Sequence, residues 1–140
     1  MVCLGNICRS PLAEGVMQHL AKQEGLDWTV DSAGTGCWHI GENPDHRSIR
    51  AARNHGIDIS KQTCRKFRVA DFDDFDLILV MDKNNQSDVL SLARSEDDAA
   101  KVHLLLGDKE VPDPYYDNTM FEPVFELVEG GCKDVIKKFR

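Results

Sequence analysis

The chain contains no apolar run close to the roughly 18–20 residues that a bilayer span requires. Its opening, Met1-Val2-Cys3-Leu4-Gly5, lacks the basic start and following apolar stretch of a secretory signal. Positive charge is the scarcer sign: 17 Lys and Arg stand against 24 Asp and Glu, a formal net charge of −7. That balance argues against a general nucleic-acid binder, which carries a basic face, but leaves room for a small basic pocket. There is no fixed-period repeat, low-complexity tract or Ser/Gly/Pro-rich linker, so residues 1–140 are read as a single domain. His19, His39, His46, His55 and His103 show no His-Glu-x-x-His spacing, and no Cys-x-x-Cys pair occurs. No metal or cofactor is therefore expected. The five cysteines, Cys3, Cys8, Cys37, Cys64 and Cys132, are an odd number with no secretion signal, which points to reduced thiols in the cytoplasm.

What is present suits a globular domain. The 140 residues are 41% apolar and 29% charged, enough to bury one core without disulfides. Ser10-Pro11 reads as a helix start, with Ser as N-cap, followed by Leu12, Ala13, Val16, Met17 and Leu20 at helical spacing. Trp28–Ser32 reads as a short strand, and Asn43-Pro44 as the opening of a second helix with Ile49 and Ala52 inward. Asp76–Met81 and Val102–Leu106 are near-continuous apolar runs, the pattern of strands covered on both faces of a parallel sheet. Residues 84–94 look helical. A polar loop runs from Gly107 to Asn118, and Phe121, Phe125, Val128, Cys132, Val135, Ile136 and Phe139 then mark an amphipathic helix. Strands alternating with helices imply a layered α/β fold.

The chemistry concentrates in Cys3-Leu4-Gly5-Asn6-Ile7-Cys8-Arg9-Ser10. A thiol and a guanidinium stand at the two ends of a tight loop that runs into a helix N-terminus. Backbone N–H groups of such a loop converge into an anion-binding nest, reinforced by the helix dipole. The nest and Arg9 favour the thiolate of Cys3. A thiolate, several donors and a planar bidentate cation together suit a tetrahedral oxyanion. Alone, Cys3 would read as a small buried side chain and Arg9 as a surface charge; it is their joint spacing before Ser10-Pro11 that makes a site.

The segment Val2–Pro11 resembles the phosphate-binding loop of the low-molecular-weight protein tyrosine phosphatases. The likeness continues through Asp31-Ser32-Ala33-Gly34-Thr35, Trp38, Gly41, Pro44-Asp45, Arg53-Asn54-His55-Gly56-Ile57, Met81-Asp82 and Asp113-Pro114-Tyr115-Tyr116. It implies a three-layer α/β/α domain with a four-stranded parallel sheet, flavodoxin-like and Rossmann-like, with the loop at the carboxyl end of strand 1. It also implies hydrolysis of phosphotyrosine monoesters, in a protein or a small aryl phosphate, through a phosphocysteine. In that mechanism Cys3 is the nucleophile. Arg9 and the amides of Leu4, Gly5, Asn6, Ile7, Cys8 and Ser10 hold the phosphoryl oxygens. Asp113 is the general acid and then base. Ser10 eases departure of the Cys3 sulfur, Asn6 and Ser32 brace the loop, and Trp38 and Tyr115 wall the substrate ring. Cys8 matches a second loop cysteine that can pair reversibly with the nucleophile. The chain is expected to act as a monomer, without nucleic acid or membrane.

Two departures stand out. Gln62 occupies a place where many relatives carry a His that joins the Asn–Ser network. Only Met1 and Val2 precede the nucleophile, too few for a full central strand, so the sequence is expected to start late relative to the working protein. Two alternatives on the same fold are weaker. An arsenate reductase would need further cysteines near the third strand, and Met81–Leu92 has none. A protein arginine phosphatase typically carries Thr where this chain has Ile7, whose apolar side chain suits an aromatic ring. A non-catalytic phosphate-binding module would lack the nucleophile or the acid, whereas Cys3, Arg9 and Asp113 are all present.

Overall fold

A computed structural model describes residues 1–36 and 38–140; Cys37, counted among the thiols above, lies outside the described residues. The strands are β1 (Val2–Cys3), β2 (Ala33–Gly34), β3 (Ile78–Val80) and β4 (Val102–Leu104). The helices are α1 (Arg9–Gln23), α2 (His46–Asn54), α3 (Asp71–Asp74), α4 (Lys83–Leu90), α5 (Glu96–Ala100) and α6 (Phe121–Phe139). The strands form one parallel sheet in the order β2-β1-β3-β4.

Strand alternation decides which helices cover which face. Cys3 and Leu79 point into a cluster with Leu12, Val16, Val124, Phe125 and Val128, so α1 and α6 pack on that side. Their neighbours Val2, Ile78 and Val80 point the other way, against Phe72 of α3 and Val89 of α4. The expected three layers follow from this alternation. Phe121, Phe125, Val128, Cys132, Val135 and Ile136 are buried as their spacing predicts, while Phe139 remains exposed near the chain end.

Several local expectations are corrected. Ser10 does not cap α1: Cys8 holds the N-cap position without a side-chain bond, because the Ser10 hydroxyl is turned into the loop. In α2 the cap is Asp45, which accepts from the Arg47 N–H at 2.8 Å, so the helix starts later than Asn43-Pro44. The predicted helix over 84–94 ends at Leu90, and the separate α5 is capped by Ser95. Trp28–Ser32 is not a strand. It runs outside the ladder along a cavity of about 620 Å³ shared with Met1, Leu77 and Phe139, with its Asp31 carbonyl accepting from the Met1 nitrogen at 3.0 Å, and ladder pairing begins only at Ala33. β1 nonetheless holds the central position with two residues. Val2 pairs with both Ala33 and Val80, and Cys3 pairs with Gly34. No described helix is long and apolar enough to cross a membrane.

Candidate active site

β1 ends at Cys3 and α1 begins at Arg9, leaving a loop that must turn sharply at the carboxyl end of the sheet. Asn6 makes the turn with φ 56°, the one non-glycine residue at positive φ among those described. This conformation costs an L-residue roughly 1–2 kcal/mol, least for Asn and Asp. Its side chain offsets the cost by using its whole amide. Nδ2 donates to Ser10 Oγ at 2.8 Å and to Ser32 Oγ at 3.0 Å, while Oδ1 accepts from the Arg65 N–H at 3.0 Å. The Asn6 carbonyl accepts in turn from Cys64 Sγ at 2.7 Å. Each such bond contributes about 1 kcal/mol net, so the strained turn is over-determined.

These bonds also constrain the two hydroxyls. An amide NH2 only donates, so both serines accept from Asn6 and have a proton left for another partner. Ser32 Oγ donates to Glu14 Oε1 at 2.7 Å. Ser10 Oγ lies 3.0 Å from Cys3 Sγ, where its proton bridges the two whenever the sulfur is a thiolate, which can only accept. The Asn6 N–H adds a second donor to the sulfur at 3.2 Å. Cys3 is buried at the base of the loop, and Ser10 Oγ and the Asn6 N–H are the sulfur's hydrogen-bond partners among the described residues. At the far end of the relay, burial pushes the Glu14 carboxyl above its ordinary range, and the bond from Ser32 only partly opposes this.

Arg9 is only 3% exposed, and a buried guanidinium must be paired. Nη1 donates to Asp82 Oδ2 at 2.7 Å and to the Val111 carbonyl at 2.9 Å. Asp82, two residues beyond the end of β3, also caps α4 by accepting from the Asn85 N–H. Nη2 lies 3.9 Å from Asp113 Oδ2, on the loop after β4. Asp113 is half-exposed, and its Oδ1 accepts from the Tyr115 N–H at 3.1 Å. The site thus joins two clusters: Cys3, Asn6, Ser10 and Ser32 in one, Arg9, Asp82 and Asp113 in the other.

The remaining candidates have varied surroundings. Leu4 is exposed, Gly5 lies against the His39 ring, and Ile7 packs beside Cys8, Ala51 and Phe121. Burial, reinforced by Asp45, pushes the Cys8 thiol up to about 12, so it stays protonated at neutral pH. Trp38, 67% exposed, lines a hollow with Leu4, Thr35, Lys66 and Leu92. Tyr115 instead packs on Tyr116 and under the Arg47 guanidinium. Gln62 does not enter the Asn6–Ser32 network; its Nε2 donates to the Pro11 carbonyl at 3.1 Å. Glu14, Asp82, Cys64 and Arg47 were missed from the sequence as members of this site. The available signals were a carboxylate on the inward face of α1 and another straight after an apolar run. Among the described residues, no group of three His, Cys, Asp or Glu side chains is arranged to hold a metal ion.

Known proteins give the same picture. The family described as low molecular weight phosphotyrosine protein phosphatase matches residues 1–140. The low molecular weight protein-tyrosine-phosphatase YfkJ of Bacillus subtilis is 39% identical over 142 residues, covering 96% of this chain and 90% of that protein. Its crystal structure superposes with a TM-score of 0.90, covering 98% and 90% of the two chains. The low molecular weight protein-tyrosine-phosphatase of Streptomyces coelicolor is 39% identical over 150 residues, covering 99% and 91%. A protein tyrosine phosphatase from Entamoeba histolytica, solved with Hepes in its active site, is 34% identical with a TM-score of 0.92, covering 98% and 92%. With its loop, sheet order and full-length match all in agreement, the chain belongs to the low molecular weight phosphotyrosine protein phosphatase family.

Proposed function

We propose that this chain, as one domain over residues 1–140, hydrolyses phosphotyrosine monoesters through a phosphocysteine. The observation that carries the reading is the convergence of the Asn6 N–H and Ser10 Oγ on Cys3 Sγ, in a loop that ends at the buried, paired Arg9. The Cys3 thiolate attacks phosphorus, and the bond from phosphorus to the phenolic oxygen breaks as Asp113 passes its proton to that oxygen. Arg9 and the loop amides from Leu4 to Ser10 bear the charge on the non-bridging oxygens. In the second step Asp113, now a carboxylate, takes a proton from the water that attacks phosphorus. The phosphorus–sulfur bond breaks, and Ser10 donates to the departing thiolate. Trp38 and Tyr115 supply apolar walls for the substrate ring.

The test is phosphate release from a phosphotyrosyl peptide in EDTA and reductant, for the parent and for Cys3→Ser. Turnover by the parent and none by the variant is expected. Activity retained by the variant, loss of activity on chelation, or preference for a phosphoarginine substrate would each overturn the reading.

A further inference from the structure

The loop that carries Asp113 is exposed and sparsely held. Asp113, Tyr115, Tyr116, Asp117, Asn118 and Thr119 all face solvent, and the loop's own bonds, such as the Asp117 N–H to the Pro114 carbonyl, are internal. Among the described residues, one side-chain hydrogen bond ties residues 112–120 to the rest of the molecule, Arg47 Nη1 donating to Asn118 Oδ1 at 2.6 Å, while Arg9 Nη2 stands 3.9 Å from Asp113 Oδ2. The same guanidinium lies 5.4 Å from the centre of the Tyr115 ring and 4.6 Å from that of Phe121. Such stacking is electrostatic and depends on the orientation of the planar cation.

That orientation is set from the other side of the site. Asp45 receives Arg47 Nε at 3.0 Å and Nη2 at 2.9 Å in a bidentate fork. Burial works against the charge of Asp45, but the bonds from Arg47 outweigh it and hold the carboxyl below its ordinary range. Asp45 is in turn fastened to the phosphate-binding loop, its N–H donating to the Ile7 carbonyl at 2.8 Å. Ser48 Oγ, one residue after Arg47, donates to the Cys8 carbonyl at 3.3 Å. The chain of contacts therefore runs from the nucleophile's loop through Asp45 and Arg47 to Tyr115, whose N–H holds Asp113 Oδ1.

We propose that Arg47 is a positioning residue that sets where Asp113 stands relative to the phosphate-binding loop. This rests on the reading of Asp113 as the general acid. Because two of its donors are engaged by Asp45, Arg47 acts through geometry rather than by recruiting phosphate. Its loss should therefore be felt where the acid is needed and not where phosphate is bound.

The experiment compares kcat/KM on phenyl phosphate, whose leaving group needs a proton, and on 4-nitrophenyl phosphate, whose leaving group needs it much less. The proteins are the parent, Arg47→Met, Arg47→Lys and Asp113→Asn, with inhibition by inorganic phosphate measured for each. For Arg47→Met the expected loss is about 10-fold on phenyl phosphate and within about 3-fold on the nitrophenyl ester, with unchanged phosphate inhibition. Arg47→Lys should show the same pattern more weakly, since Lys keeps the charge but not the fork. An equal loss on both esters, weakened phosphate inhibition, or no change in any of these would overturn the proposal. Should Asp113→Asn show no dependence on leaving group, the reading of Asp113 fails, and the role given to Arg47 falls with it.

Discussion

A single buried carboxylate illustrates what this site demands of its residues. Glu14 ends the relay that begins at Cys3, and burial raises its pKa in the folded protein above the ordinary 4.5. A raised carboxyl binds its proton more tightly in the folded than in the unfolded chain. Stability from this group is therefore greatest below pH 4.5 and is lost as pH climbs through the raised value. Glu14→Gln keeps an oxygen to accept from Ser32 but removes the charge. Its stability relative to the parent should improve from pH 5 to pH 8, which paired urea unfolding curves would show. An offset independent of pH would mean that the charge of Glu14 is not what burial penalises. The residues Cys3, Arg9 and Ser10 were legible because they sit in one short stretch. Glu14 was not, because its role depends on Ser32, 18 positions away.

At the scale of elements, β2 and the loop that follows Cys3 are packed backbone to backbone. The Thr35 N–H donates to the Cys3 carbonyl at 2.9 Å and the Gly36 N–H to the Leu4 carbonyl at 2.8 Å. A Cβ on Gly34 would lie 2.8 Å from the Leu4 carbonyl oxygen and 3.1 Å from the Asn6 nitrogen, neither of which can swing aside. Gly34→Ala should therefore cost about 1–3 kcal/mol and lower turnover by displacing Asn6. Gly130→Ala, in mid-α6 with open space around the added carbon, should instead raise stability by about 0.5–1 kcal/mol. Thermal unfolding of both variants with turnover of the first would check this, and full activity in Gly34→Ala would show that the loop tolerates the push. The same packing explains which elements could be read in advance. Apolar runs announced β3 and β4, and helical spacing announced α6, because burial on a face leaves a period in the sequence. Trp28–Ser32 carried a strand-like pattern too, but a strand needs a partner at its own level of the sheet, and pattern alone does not supply one. Ser10 resembled a cap for a similar reason, since its hydroxyl could serve either the helix or the loop.

The molecule as a whole carries a net charge of −7, yet the function proposed for it requires holding an anion. On that reading attraction has to be local, supplied by Arg9 and the loop amides rather than by the general field. Because an oxyanion would bind only the folded loop, it should stabilise the whole domain, by about 2.7 kcal/mol at a hundred times its dissociation constant. Inorganic phosphate is expected to raise the Tm of the parent, and of Cys3→Ser equally, since the thiolate is not needed to hold it. A Tm indifferent to millimolar phosphate would speak against an anion site at the loop. The bonds of Arg9 carry a further consequence. They reach Asp82 across 73 residues and Val111 across 102, while Cys3 and Ser10 are only seven apart. Contacts so distant in sequence close late, after the loop entropy between them has been surrendered. On a ribosome the sulfur and the guanidinium emerge well before the Asp82 carboxylate and the Val111 carbonyl that orient the guanidinium. A nascent chain therefore displays the loop's residues long before the bonds that hold its guanidinium can form.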